Sequence, residues 1–229
     1  MARDAAIIPS RPPREPMFNA PRIVLLLVVA LIAAHAWREM AHAGVERFAL
    51  TEADLPAGRW SALVTHMFVH GGWAHVLTNA AFTLAFGAPV ARFLGAGPRG
   101  AATFAAFFLV CGVAAALAYV ALLTLIQPLG GWALVGASGA ASGLMGAAAR
   151  LIEGRGALGS ALGRTVIAMT LAWIGLNTVL GLSGLTPGAA GAPVAWQAHI
   201  FGYFAGLALI GLFGRIAGTP PAMFAVNRP

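Results

Sequence analysis

The sequence predicts an all-α membrane protein that crosses a bilayer several times. Of its 229 residues, 59% are hydrophobic and only 9% are charged, whereas a soluble domain is normally about a quarter charged. So few charged side chains cannot cover the surface of a soluble enzyme, and disordered chains are far more polar. Long stretches without a charged residue are the second observation, because a membrane-spanning helix needs about 20 apolar residues.

Six membrane helices fit the chain, each within or beside a stretch that has no charged residue. We predict them at residues 22–38, 73–91, 101–125, 135–150, 165–183 and 195–214. Turn-forming clusters at 127–131 and 183–188 separate the third helix from the fourth and the fifth from the sixth. An alternative for the first helix is a cleaved signal peptide, because Ala41-His42-Ala43 has the small-residue pattern of a cleavage site.

Arginine supplies all 14 basic residues and indicates how the helices are oriented. With the N-terminus in the cytoplasm, every arginine falls in a cytoplasmic segment except Arg38, Arg47 and Arg59. Cytoplasmic loops of membrane proteins carry an excess of positive charge, so we expect both termini in the cytoplasm. The predicted organisation is a flexible proline-rich tail over 1–21, a membrane domain over 22–216 and a short tail over 217–229.

Composition and motifs also exclude several classes of function. The net charge of +7 comes from scattered arginines, and no basic stretch is interleaved with aromatic residues, so we expect no binding to nucleic acid. The single cysteine, Cys111, lies in an apolar run and rules out an intrachain disulfide and a cysteine-rich metal site. The HExxH pattern of metalloproteases does not occur in the sequence. We therefore expect neither a metal nor another cofactor.

Polar side chains inside the predicted helices mark the candidate site, because ionisable groups are costly in a bilayer and are usually functional. His75 and Asn79 lie one turn apart at the start of the second helix, and Ser138 opens the fourth. His199 lies in the first turns of the sixth helix. All three helices begin at the outer face, so we expect the four side chains at a similar depth in the outer half of the membrane.

Glycines are predicted to bring a nucleophile and a base together. Gly136 and Gly139 flank Ser138 and permit a sharp turn into a helix whose first N–H groups are free. Gly202 and Gly206 form a Gly-x-x-x-Gly face, which lets the sixth helix pack closely on a neighbour. A serine, a histidine and polar hydrogen-bond donors are the parts that acyl transfer needs. No Asp or Glu lies in the predicted membrane core, so we expect a serine–histidine pair without a carboxylate.

The remaining histidines are predicted to be structural. Residues 60–72 read as an outer-face loop or interfacial segment, and we expect His66 and His70 to brace it with hydrogen bonds. His35 and His42 lie near the outer end of the first helix without polar partners in the sequence. We expect both of them at the membrane interface, where polar and amphipathic side chains are common.

With these residues identified, the chain resembles the rhomboid intramembrane serine proteases. The resemblance rests on Gly136-Ala137-Ser138-Gly139 (the GxSG motif), on His75–Asn79 (HxxxN), and on His199–Gly202 followed by Gly206. The motifs occur in the family's order, each at the outer end of the expected helix, and the resemblance covers residues 59–215. Six helices match the basic bacterial form of the family, which implies an all-α, six-helix rhomboid bundle.

The resemblance implies a role for each site residue. Ser138 would be the nucleophile and His199 the general base, while His75, Asn79 and the Ser138 backbone N–H would form the oxyanion hole. The other site residues would be structural: His66, His70, Gly136, Gly139, Gly202 and Gly206. The implied partners are the lipid bilayer and single-span or polytopic membrane proteins, cleaved near the outer end of a transmembrane helix. The implied location is the bacterial inner membrane, with the active site open to the outer face.

Two positions depart from the family pattern, and neither removes a reacting group. Ser142 stands four residues after the nucleophile, where many members carry an aromatic residue that packs on the catalytic histidine. Arg59-Trp60 has the reverse order of the Trp-Arg pair found in many first outer loops. One alternative function is a catalytically silent relative that binds transmembrane helices, although such relatives often lack the serine or the histidine. A transporter with a histidine relay is a second alternative, and the lack of an inverted repeat argues against it.

Overall fold

The computed structural model describes residues 20–126, 131–184 and 195–224, and over these residues the chain is mostly helical. The helices are α1 (Arg22–Met40), α2 (Ala62–Thr65), α3 (Trp73–Leu94), α4 (Pro98–Ile126), α5 (Ser138–Glu153), α6 (Arg164–Ser183) and α7 (Trp196–Ala217). Two short strands, β1 (Leu50–Thr51) and β2 (Ala133–Leu134), form an antiparallel pair. The N-terminal tail up to residue 19 and most of the two predicted turn clusters lie outside the described residues.

Five of these helices, α1, α3, α4, α6 and α7, are long and apolar enough to cross a membrane. The chain is therefore an integral membrane protein. All six predicted membrane helices occur as helices, with ends within a few residues of those expected. The exception in length is α5, which has 16 residues and spans about 24 Å at 1.5 Å per residue. That length is less than the roughly 30 Å of a typical hydrocarbon core.

Helix α5 lies at the centre of the bundle and contacts α3, α4, α6 and α7. Its sequence explains this position, because most of its residues are alanine, glycine or serine and leave room for neighbours on every side. Leu144, Ala147 and Ala148 are completely buried in the main apolar core. The surrounding helices instead expose leucines such as Leu26 and Leu171 on their outer faces, as expected of surfaces in contact with lipid.

Glycine brings α5 and α7 into direct backbone contact. A Cβ atom added at Gly202 would lie 2.0 Å from the Gly139 carbonyl oxygen, and one at Gly206 would lie 1.8 Å from that of Gly143. From the other side, a Cβ at Gly146 would lie 2.0 Å from the Tyr203 carbonyl oxygen. Real Cβ atoms do not approach so closely, so α7 can pack here only because these positions carry no side chain.

The loop between α1 and α2 is held by one arginine and by the strand pair. The Arg59 guanidinium donates to the Ala49 carbonyl at 2.8 Å and the Arg47 carbonyl at 3.0 Å, and also contacts the Asp54 carboxylate. Although burial favours the neutral acid, hydrogen bonds from Arg59 and Thr51 hold the pKa of Asp54 below its ordinary value. Strand β1 pairs with β2, so the loop is tied to the segment that leads into α5.

Candidate active site

The segment before α5 is shaped by Gly136, which has a φ of +102°. This left-handed conformation strains any residue with a side chain. An added Cβ would also lie 2.7 Å from His75 Nε2 and 3.3 Å from Asn79 Nδ2. Both nitrogens therefore face the backbone two residues before Ser138. Glycine is required at this position for its conformation and for the space that it leaves.

Ser138 and His199 form a direct hydrogen bond across the α5–α7 interface. His199 Nε2 lies 2.8 Å from Ser138 Oγ, within the reach expected of a nucleophile and its base. Ser138 is the first residue of α5, where backbone N–H groups lack helical partners. His199 lies in the first turn of α7, three residues before Gly202, whose contact with Gly139 brings the two helix ends together.

Asn79 offers a buried hydrogen-bond donor beside this pair. The residue is 4% exposed, and within the described part of the chain its Nδ2 has no hydrogen-bond partner. A buried donor without a partner costs free energy unless a ligand accepts from it. With His75 Nε2 on the same side of Gly136, the site holds two side-chain nitrogens and the N-terminus of α5 around one small space. Such an arrangement can stabilise a negatively charged oxygen.

The loop histidines support the segment that leads into α5. The Gly136 amide donates to the His66 carbonyl oxygen at 2.8 Å, and the Ala137 amide donates to His70 Nε2 at 3.4 Å. His66 Nδ1 also bonds the Ala62 carbonyl oxygen at 2.9 Å. Burial lowers the pKa of His66 to about 4 and, together with nearby His75, that of His70 to about 3. Both rings are therefore neutral at pH 7.

His35 was expected at the membrane interface, and the structure shows that its side chain is completely buried within the protein. The Trp73 ring packs edge-on against it at 4.8 Å between centroids, and the His70 ring lies 6.2 Å away. His70 in turn lies 5.1 Å from His75, so three histidine rings run from α1 to the site. Within the described ranges, no group of three or more His, Cys, Asp or Glu side chains could hold a metal ion.

A family model described as the rhomboid domain matches residues 57–216, which is more than half of the chain and includes Ser138 and His199. The chain belongs to the rhomboid family. None of the curated proteins matches it. The rhomboid family includes serine intramembrane proteases. The matched range begins near Arg59 and ends at the close of α7, so it contains every residue of the site described above.

One polar contact of this rhomboid site was not predicted from the sequence. Asn177 on α6 places its Oδ1 2.7 Å from His199 Nδ1, while its Nδ2 donates to the Trp173 carbonyl at 2.8 Å. Ser142, where an aromatic residue was expected from the family, turns away and donates to the Ser138 carbonyl at 2.7 Å. The signal in the sequence that could have predicted this contact was a single amide, Asn177, near the predicted outer end of the fifth helix and at a predicted depth similar to that of His199.

Proposed function

We propose that this rhomboid protein is an intramembrane serine protease that cleaves a peptide bond near the outer end of a substrate transmembrane helix. The observation that carries the proposal is the 2.8 Å hydrogen bond between Ser138 Oγ and His199 Nε2. A serine hydroxyl is a weak nucleophile until an adjacent base accepts its proton. The buried Asn79 amide also supports the proposal, because its Nδ2 has no hydrogen-bond partner among the described residues and is available to a ligand.

The proposed reaction has two stages. Ser138 Oγ attacks the substrate carbonyl carbon while His199 Nε2 takes its proton, and the resulting oxyanion accepts hydrogen bonds from His75, Asn79 and the Ser138 amide. The tetrahedral intermediate collapses, His199 gives its proton to the leaving amine, and an acyl-enzyme remains. Water from the outer side, deprotonated by His199, then attacks the ester. Ser138 recovers its proton as the new carboxyl terminus leaves.

We also propose how the molecule lies in the membrane. Helix α5 also crosses the membrane, which brings the number of crossings from five to six, and its short length is tolerated because it is surrounded by protein instead of lipid. The arginine distribution supports a cytoplasmic location for the tails over 1–21 and 217–229, with the membrane domain between them. In this orientation the site opens to the outer face of a bacterial inner membrane. The substrates are single-span or polytopic membrane proteins.

The experiment is a gel-shift cleavage assay in detergent with a single-span model substrate. Four proteins are compared: wild type, Ser138→Ala, His199→Ala and, as the matched control, Ser142→Ala, which removes a hydroxyl one turn away on the same helix. We expect cleavage by wild type and Ser142→Ala only. Cleavage that survives Ser138→Ala would contradict the proposed nucleophile. If no protein cleaves, the same set is treated with a fluorophosphonate probe, and failure of wild type to react would favour the silent helix-binding relative.

A further inference from the structure

His199 is held at both ring nitrogens, and the second contact determines what the first can do. Nε2 faces Ser138 Oγ at 2.8 Å and Nδ1 faces Asn177 Oδ1 at 2.7 Å. A neutral imidazole carries its proton on only one of the two nitrogens. If Nε2 held the proton, it could not accept the proton of the serine hydroxyl. The partner of Nδ1 therefore decides whether His199 can act as a base.

The orientation of the Asn177 amide follows from its other hydrogen bond. Its Nδ2 donates to the Trp173 carbonyl oxygen at 2.8 Å, one turn earlier on α6. An amide rotated the other way would place two oxygens face to face at that carbonyl, so Oδ1 must point to His199. Oδ1 is only an acceptor, and Nδ1 must then be the nitrogen that carries the proton. This leaves the Nε2 lone pair directed at Ser138.

On this basis, which rests on the proposed function, we propose that Asn177 is a positioning residue that fixes the tautomer and the ring orientation of His199. Ser138, His199 and Asn177 then form one functional unit, with a neutral amide in the place that a carboxylate takes in many serine hydrolases. The amide suits this location. An ionised carboxylate would be costly inside the bilayer, whereas a neutral acceptor directs the Nδ1 proton without adding a charge.

The surroundings favour this role over a purely structural one. Asn177 is 4% exposed within a mostly apolar part of α6, where a buried amide is costly unless it has a function. Helices α6 and α7 already share another polar contact, two turns away along α6 and one turn away along α7, where Thr170 Oγ1 lies 3.0 Å from Tyr203 Oη. Ser142 gives His199 no support, because its hydroxyl is bonded to the Ser138 carbonyl. Asn177 is the side chain that accepts from Nδ1.

The test compares four full-length proteins in detergent. Asn177→Leu removes the acceptor at similar volume, and Asn177→Asp keeps an oxygen facing Nδ1. The matched control is Thr170→Val, which removes the other polar contact between α6 and α7. Asn177→Ala repeats the test if the leucine variant does not fold. Two readouts are collected: kcat and KM for the model substrate, and the ¹⁵N resonances of His199, assigned by comparison with His199→Gln.

We expect Asn177→Leu to lower kcat by roughly 10- to 100-fold, with KM nearly unchanged. This range lies between the roughly tenfold worth of a neutral hydrogen bond and the roughly 10,000-fold loss seen when a triad histidine holds the wrong tautomer. Asn177→Asp should be more active than Asn177→Leu, because it keeps an acceptor for Nδ1, but less active than wild type, because its second oxygen faces the Trp173 carbonyl. Thr170→Val should stay within about twofold of wild type. The ¹⁵N spectrum should show the Nδ1–H tautomer in wild type and its loss in Asn177→Leu.

Three results would overturn this inference. They are equal losses in Asn177→Leu and Thr170→Val, a leucine variant as active as wild type, and an unchanged tautomer in that variant. Failure of the proposed function gives a different result, because wild type itself would then neither cleave nor react with the fluorophosphonate probe. The tautomer can still be read in an inactive protein, so the two failures remain distinguishable.

Discussion

Helices α5 and α6 both contact His199, and they do so in different ways. Helix α5 meets α7 backbone to backbone, through glycines at which any side chain would overlap a carbonyl oxygen. Helix α6 meets α7 through side chains, such as the Asn177–His199 and Thr170–Tyr203 hydrogen bonds. Of the 18-residue apolar segment of α6, 17% is buried inside the protein, whereas 33% of the corresponding segment of α7 is buried.

The difference separates two requirements of the proposed chemistry. The distance between Ser138 and His199 is set by packing that cannot relax without moving a helix, and reacting groups need placement of that quality. The proton on His199 is set by a single amide on a more exposed helix. The first requirement is structural and affects folding as well as activity. The second is chemical and can be removed while the bundle stays intact.

The largest effect is expected from breaking the α5–α7 contact with Gly206→Val. A Cβ at this position would lie 1.8 Å from the Gly143 carbonyl oxygen, so α7 must move away from α5 and the hydrogen bond between Ser138 and His199 is lost. We expect no detectable cleavage and a clearly lower thermal unfolding midpoint in detergent.

The matched control for that variant is Gly175→Ala, which adds one methyl group to α6. No atom lies within 4 Å of a Cβ at Gly175, and alanine favours a helix over glycine by roughly 1 kcal/mol. Activity and midpoint should equal or slightly exceed those of wild type. If Gly206→Val were as active as Gly175→Ala, close packing of α5 and α7 would not be what positions the pair.

A smaller but still large effect is expected from Asn79→Ala, which removes a hydrogen-bond donor and leaves the α5–α7 and α6–α7 contacts intact. Loss of one oxyanion donor typically costs about 100- to 1,000-fold in kcat, and the unfolding midpoint should change little. Thr83→Val is the matched control, because Thr83 lies one turn deeper on α3, is completely buried and, among the described residues, has no hydrogen-bond partner for its hydroxyl. Wild-type activity in Asn79→Ala would exclude its proposed role.

The smallest effect concerns a third region, the loop between α1 and α3, whose His66 and His70 contact the segment that leads into α5. The ordinary pKa of histidine is about 6.5, and burial lowers the pKa of His66 to about 4. As the pH falls from 7 to 5, the unfolded chain takes up a proton at this residue and the folded chain does not, so stability falls. The unfolding midpoint should therefore decrease over this range, and the decrease should be smaller in His66→Asn. Identical pH profiles would show that His66 does not contribute.

Much of this architecture is legible in the sequence because charge-free stretches and breaker residues determine where membrane helices begin and end. Ser138, His199, His75 and Asn79 could be chosen as candidates from the sequence because each is a polar residue near one end of an apolar helix. The buried position of His35 could not be predicted, because it depends on how α1 packs against Trp73. The contact of Asn177 with His199 was also not predictable from the sequence, because it depends on the rotation of α6 about its axis, which determines the neighbour that the amide contacts.

The most direct test of the central claim is covalent labelling with a fluorophosphonate probe, followed by mass spectrometry of the modified peptide. A serine activated by His199 should give one adduct, on Ser138, in wild type and in Ser142→Ala. The adduct should be absent in His199→Gln, where the base is lost. An adduct on another serine, or one that forms equally well in His199→Gln, would contradict the claim that α5 and α7 together create an activated nucleophile.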